Sequence, residues 1–242
     1  MTAIPMEILE ASFFATHHAT ADDLLAGAQR EFTAPAFAML VGRARRFTSL
    51  VTQLHMEVLG SLQRLAAAGS PPAVFATCHG EIQTAQKLIA DFSANALVSS
   101  AQFAHSVHNT PSGLYSIASG SAAPTSTFTG ENAIAAAWLE AALIARETGR
   151  PVLLSIADEP VPPAFRGPDD PGGVAAAFLI GPPGGSGQGA RLVIAPAPAP
   201  ERPARLLARA VAALGRRAAG DITLGWILAE GALQLQLDPE AS

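Results

Sequence analysis

Two short, predominantly apolar runs, AVFATC at 73–78 and PVLLSIAD at 151–158, bracket a helical stretch, ENAIAAAWLEAALIARET, at 131–148. Strands apolar on both sides must be covered on both faces, which is the situation of an α/β layer rather than of a sheet with one wet face. The alternation extends upstream. MEILEASFFA (6–15) reads as a first strand, and 20–31 as a helix capped by Thr20 with Asp22 and Asp23 in its first turn. Over 45–68, Leu50, Leu54, Val58, Leu62 and Leu65 recur at helical spacings until Ser70-Pro71-Pro72. A helix over about 81–93, two short helices across 99–119 divided at Thr110-Pro111, and a strand at 123–129 follow. Downstream, VAAAFLIG (174–181) and RLVIA (191–195) flank GPPGGSGQG and read as a hairpin with a long flexible tip. APAPAPERP (195–203) reads as a semi-rigid connector. A helix over 203–217 and a hairpin turning at Glu230-Gly231 end the chain. The pattern predicts one α/β domain over 1–242: a mixed, mostly parallel sheet flanked by helices, with a core at about 40–195 and a C-terminal helix and hairpin over 196–242.

Composition narrows the function. Of the 242 residues 49% are apolar and only 14% charged, which supports a filled core and suggests apolar surface covered by another chain. Net charge is −5, and the densest basic cluster is only Arg43, Arg45 and Arg46, so nucleic-acid binding is not expected. The single cysteine, Cys78, excludes an internal disulfide and a multi-cysteine zinc site. MTAIPMEILEAS has no basic segment leading into an apolar one, and the longest apolar runs are short, so neither a secretory signal nor a membrane span is expected, and the location expected is cytoplasmic.

Taken singly, the residues that could carry chemistry are weak candidates. Cys78-His79 places a thiol beside an imidazole, but neighbours on a strand point to opposite faces, so the pair reads as a buried cysteine at a strand end. His105 and His108 have a helical ligand spacing but lack a defined third ligand, with only Glu81 or His79 to suggest, so no metal is expected. Gly185-x-Gly187 lies between two strands, not before the helix N-terminus that a bound phosphate requires. No cofactor is expected.

The combined pattern from Ser99 to Ala145, SSAQFAHSVHNTPSGLYSIASGSAAPTSTFTGENAIAAAWLEAALIA, is more specific. Asn109, Gly113 and Ile117 stand in an Asn-x-x-x-Gly-x-x-x-Ile spacing, followed by Pro124, a strand, a turn and an Ala-rich helix. This resembles the central segment of the β-ketoacyl synthases, and more narrowly the short β-ketoacyl synthase-like N-terminal domain proteins described as chain-length-factor subunits of aryl-polyene pathways. ARRFTSLVTQLHMEV (44–58), PVLLSIADEPVPPAF and VAAAFLIG resemble the neighbouring family elements. The resemblance implies half of a thiolase-like fold, and a strand after Pro124 that pairs across a dimer.

In that family the nucleophilic cysteine occupies the turn between this strand and the Ala-rich helix. Here the corresponding positions are Thr127, Gly130, Glu131 and Asn132, none of them cysteine. The family's further catalytic histidines come from a second half, and no histidine follows His108 here. The resemblance therefore implies a non-catalytic subunit in a heterodimer with an active β-ketoacyl-ACP synthase, visited transiently by an acyl carrier protein. Phe103, Asn109, Thr125, Thr127, Phe128 and Trp138 are the candidates for the dimer contact and the acyl tunnel. Two other readings compete: a stand-alone acyltransferase using Cys78, and a scaffold homodimer without acyl chemistry. A half-fold is also expected to leave one sheet face open for a partner.

Overall fold

The computed structural model describes residues 3–42, 45, 48–65, 68–166, 172–196, 202–228 and 231–238. Eight strands form one sheet: β1 (Ile4–Ala15), β2 (Ala73–Thr77), β3 (Thr125–Thr129), β4 (Val152–Asp158), β5 (Val174–Gly181), β6 (Gln188–Ala195), β7 (Gly220–Leu228) and β8 (Gly231–Leu237), in the order β3-β2-β4-β5-β1-β6-β8-β7. The helices are α1 (Ala21–Ala26), α2 (Leu50–Gly60), α3 (Ile82–Asn95), α4 (Ser100–Ala104), α5 (Thr110–Ser119), α6 (Ala133–Thr148) and α7 (Pro203–Gly215).

The strand chemistry accounts for the layering. On β4, Val152, Leu154 and Ile156 enter one buried cluster with α6 and α7, while Leu153 and Ala157 enter a second with α2 and α5. Ala176, Phe178 and Ile180 of β5 divide from Ala175 and Ala177 in the same way. Period-two alternation between two apolar faces is what a strand buried on both sides requires. The alanines of α6 let it lie close to the sheet, which curls so that α6 touches β1–β5 and β7. Gly225 of β7 belongs to this close approach: a Cβ there would stand 3.1 Å from the Ala135 Cβ.

Four expectations change. The sheet is mixed, but only β3-β2 and β2-β4 are parallel; the other five pairings are antiparallel. β5 and β6 are not a hairpin, because β1 lies between them and pairs with both. Their glycine-rich connection is a strap across β1 rather than a free tip. The buried Glu7 carboxylate accepts the N–H groups of Gly184, Gly185 and Gly187 at 2.9, 2.6 and 2.8 Å. A Cβ on Gly187 would meet the Ile8 carbonyl oxygen at 2.7 Å, so only glycine fits this crossing.

The two N-terminal helices are shorter than their periodicity predicts. α1 ends at Gly27, whose φ of 73° stops it after the Thr20–Asp23 capping box. α2 starts after the Ser49 cap and ends at Gly60, because Glu10 of β1 accepts the N–H groups of Gln63 and Arg64 at 2.8 and 2.7 Å and draws the chain away. Leu62 is still buried, but beyond the helix.

No apolar sheet face is left open among the described residues. β6-β8-β7 send Leu192, Leu235 and Ile222 into the α6–α7 cluster, and place Arg191, Gln236 and Asp221 on the other face. The half-sheet is thus closed by its own C-terminal segment. Exposed apolar side chains cluster instead along 89–117, where Ile89, Phe92, Leu97, Phe103 and Ile117 are all exposed; Phe32, Val41, Leu143 and Ile194 are exposed singly elsewhere. Arg43, Arg46, most of the Pro-rich connector (197–201) and Glu230 lie outside the described residues.

Candidate functional site

The parallel strands β3, β2 and β4 end side by side. Thr77 pairs with Thr129, and Asp158 of β4 accepts the Cys78 N–H at 2.8 Å. The three ends carry Gly130-Glu131-Asn132, Cys78-His79-Gly80-Glu81 and Asp158-Glu159. In open α/β sheets the carboxyl ends of parallel strands are where ligands collect.

The strand-to-helix turn is tight. Gly130 has φ of 103°, its carbonyl accepts the Ala133 N–H at 3.1 Å, and Asn132 is the N-cap of α6 without a side-chain cap bond. Glu131 and Asn132 are exposed. Thr127 lies inside β3, where its hydroxyl donates to Ser112 Oγ at 3.3 Å and ties the strand to α5. The positions named for the missing nucleophile thus divide into one strand residue and three turn residues.

Cys78 is close to an imidazole and a carboxylate, in the wrong arrangement for a nucleophile. Asp158 Oδ1 accepts from the Thr77 hydroxyl and the N–H groups of Cys78 and His79 at 2.9, 2.8 and 3.1 Å. The His79 ring, half exposed, has Nδ1 3.7 Å from the same oxygen. Burial, and then the Asp158 charge and hydrogen bond, push the thiol far above its usual range, so it remains protonated. His55 is buried and neutral, its pKa lowered to about 3 by burial against a smaller opposing effect of Asp158, and its Nδ1 lies 2.8 Å from Ser155 Oγ. Among the described residues no group of three or more His, Cys, Asp or Glu is arranged to hold a metal.

A pair of buried glutamates sits behind these strand ends. Glu159 accepts the N–H of Val51 in the first turn of α2 and that of Gln83 in the first turn of α3, at 3.3 and 2.8 Å. Glu81 accepts from the Thr52 hydroxyl at 2.8 Å. Burial pushes Glu159 up to about 7; the Gln83 and Val51 N–H groups oppose the rise, and the charges of Glu81 and Asp158 add to it. Burial raises Glu81 as well, against its hydroxyl donors. Between the ordinary carboxylate range and about pH 7, the folded chain therefore holds a proton on Glu159 that the unfolded chain has lost. Stability falls with rising pH across that window and levels off above it. The fall expected from Glu159 is on the order of 3 kcal/mol. Urea unfolding of Glu159→Gln between pH 5 and pH 8 is expected to show a much shallower slope than the parent; equal slopes would contradict this assignment. Sequence reasoning missed this group. Its signal was a pair of acids closing one apolar strand opposite a Thr-Cys-His-Gly-Glu segment closing another.

The other named residues do not converge on one point. Asn109 is the N-cap of α5, and Asn109, Gly113 and Ile117 are all exposed, so the spaced motif forms an outward row on that helix. Thr125 is exposed on β3, the edge of the sheet. Phe128 is half-buried against the α6 cluster, and Phe103 on α4 is 61% exposed. Trp138 is separate: it is fully buried, with its ring 4.8 Å from that of Phe178.

No curated protein matches the chain. Solved structures do. A ketosynthase (ApeO) in complex with its chain length factor (ApeC) from Xenorhabdus doucetiae contains a chain matched with TM-score 0.71 and 17% identity over 96% of this chain and 99% of that one. The ishigamide ketosynthase/chain length factor is matched with TM-score 0.65 and 13% identity over 97% and 98%. A third, AntDE:AntF, a type II PKS acyl-carrier protein in complex with its ketosynthase, gives TM-score 0.59 and 13% identity over 81% and 70%. These likenesses establish the fold, half of a thiolase-like ketosynthase fold, and the coverage shows matched chains of similar length in the first two. The family model for the N-terminal domain of β-ketoacyl synthase matches residues 18–217, and the chain belongs to that family.

Proposed function

We propose that this chain is a catalytically silent, chain-length-factor-type subunit that pairs with an active β-ketoacyl-ACP synthase and serves acyl-chain elongation on a carrier protein. The observation that carries the reading is the turn at the end of β3. It has the strand–turn–helix shape that presents a nucleophile, and its residues Gly130, Glu131 and Asn132 include no thiol or hydroxyl. Cys78, at the end of the neighbouring strand β2, is held as a thiol by burial and Asp158.

The pairing surface we infer runs from β3 across α5 and α4. The two edges of the sheet differ. β7 breaks register at Thr223/Gly225 and Trp226/Leu228, irregularities that discourage further strand addition, whereas β3 keeps an unbroken register over all its residues. The exposed Ile117 lies on α5, which packs on β3, and the exposed Phe103 lies on the preceding helix α4. On this reading Phe128, at the inner edge of the surface, is the best-placed residue to limit an acyl tunnel.

The test concerns chemistry. Cys78→Ala in the complex with its ketosynthase is expected to leave turnover within about twofold of the parent. A loss of a hundredfold or more would make Cys78 a nucleophile and favour a stand-alone acyltransferase.

A further inference from the structure

Between Ile82 and Asn109 the chain makes an excursion that buries a single side chain, Leu88. α3 and α4 lie in this stretch and pack on each other, with Lys87 Nζ 3.5 Å from Gln102 Oε1. The excursion returns to where it left: a Cβ on Gly80, just before it, would stand 3.7 Å from the Cβ of His108 at its far end. A segment whose ends meet, and which hides almost no apolar surface of its own, belongs to the low end of local stability and can open while the core stays folded.

What fastens it is polar and sits at its base. Gln83, in the first turn of α3, donates its N–H to Glu159 at 2.8 Å and its Nε2 to the Pro160 carbonyl at 2.9 Å. Glu159 also accepts the Val51 N–H at 3.3 Å, so one carboxyl group joins the first turns of α2 and α3. Glu81, 3% exposed, accepts from the Thr52 hydroxyl of α2 and the Thr84 hydroxyl of α3 at 2.8 and 3.4 Å. Further along α3 a half-open cavity of about 340 Å³ separates Gln86, Lys87 and Ala90 from Val161, Pro163 and Arg166 of the loop after β4. The helix is thus held at its first turn and stands off from the loop beyond it, with two buried acids at the pivot.

We propose that residues 82–109 form a hinged arm, latched to the body of the domain at its base through Glu159 and Glu81, and that raising the pH opens the latch. Opening moves the exposed Ile89, Phe92, Leu97 and Phe103 together, because all four ride on the arm. The titratable and charged groups around Glu159 are Glu81 ahead of α3 and Asp158 beside it on β4. Beyond them stand His79, with Nδ1 3.7 Å from Asp158 Oδ1, the neutral His55 of α2 against Ser155, and at the cavity Arg166 and Lys87, the latter paired with Asp91 at 2.6 Å. Burial puts Glu159 at about 7; the Gln83 and Val51 N–H groups oppose the rise, and the charges of Glu81 and Asp158 add to it. Lifting α3 uncovers the carboxyl and returns it to the ordinary carboxylate range. The open arm has then lost a proton that the latched arm still holds. The latch is fully effective in acid, weakens as the pH rises toward about 7, and levels off above that.

The test is native-state hydrogen exchange of the full chain, with each rate divided by that of an unstructured amide at the same pH. Amides of α3 are expected to open well before those of α6. Their opening constant is expected to rise on the order of fiftyfold between about pH 5 and about pH 8. In Glu159→Gln, which keeps a carbonyl acceptor for the Val51 and Gln83 N–H groups, the rise is expected to fall below about fivefold. In Glu81→Gln, with one charge fewer beside Glu159, the rise is expected to level off at lower pH, a shift that a merely structural role for Glu81 would not produce. A parent-like rise in Glu159→Gln overturns the proposal. The parent alone decides as well: α3 amides that open equally at the two pH values, that show no protection at either, or that open only together with α6 each overturn it.

Discussion

Ile117→Asp is expected to leave the isolated chain folded and to abolish its co-purification with a ketosynthase. Ile117 is 75% exposed on α5, so replacing it removes little buried area from the chain itself. The side chain stands in the outward row with Asn109 and Gly113, next to the unpaired edge of β3. An aspartate pressed into an apolar interface loses its water without gaining a partner, at a cost of several kcal/mol, which corresponds to at least about a hundredfold in affinity. Circular dichroism and a urea midpoint of the chain alone, followed by gel filtration with the ketosynthase, separate the two effects. An intact heterodimer containing Ile117→Asp would move the interface away from α5.

Trp138→Ala is expected to act in the opposite way, on the fold itself. Among the described residues Trp138 is the largest fully buried side chain, on the face of α6 packed against Phe178. Its truncation is expected to cost about 3–5 kcal/mol, a large part of the total stability of a domain this size. A urea midpoint close to that of the parent would contradict its core placement. Phe128→Ala, only half-buried, is expected to cost less and to leave the complex intact, so that mass spectrometry of carrier-bound products can show whether the acyl chain lengthens.

The layered core was readable because the signals were local or periodic. VAAAFLIG coincides with β5, the Ala-rich helix ends at Gly149 with φ of 64°, and Thr110-Pro111 marks the start of α5. The errors come from contacts distant in sequence. The leucine spacing continues through Leu65, but the helix is stopped by Glu10, 53 residues before Gln63. The segment 182–187 has the same glycine content whether it tips a hairpin or crosses a strand, and the decisive partner, Glu7, is 177 residues from Gly184. At the site, the absence of a cysteine at 130–132 could be read directly. The Glu81–Glu159 pair could not, because it forms only when β2, β4 and the first turns of α2 and α3 meet.

One measurement addresses both silence and pairing. The chain is co-expressed with a ketosynthase, the complex is sized by light scattering, and the mixture is treated with a radiolabelled acyl-thioester that acylates reactive cysteines. A one-to-one heterodimer with label on the partner only is expected, and an unlabelled chain when it is purified alone. Label on Cys78, or an active assembly of this chain without a ketosynthase, would contradict it.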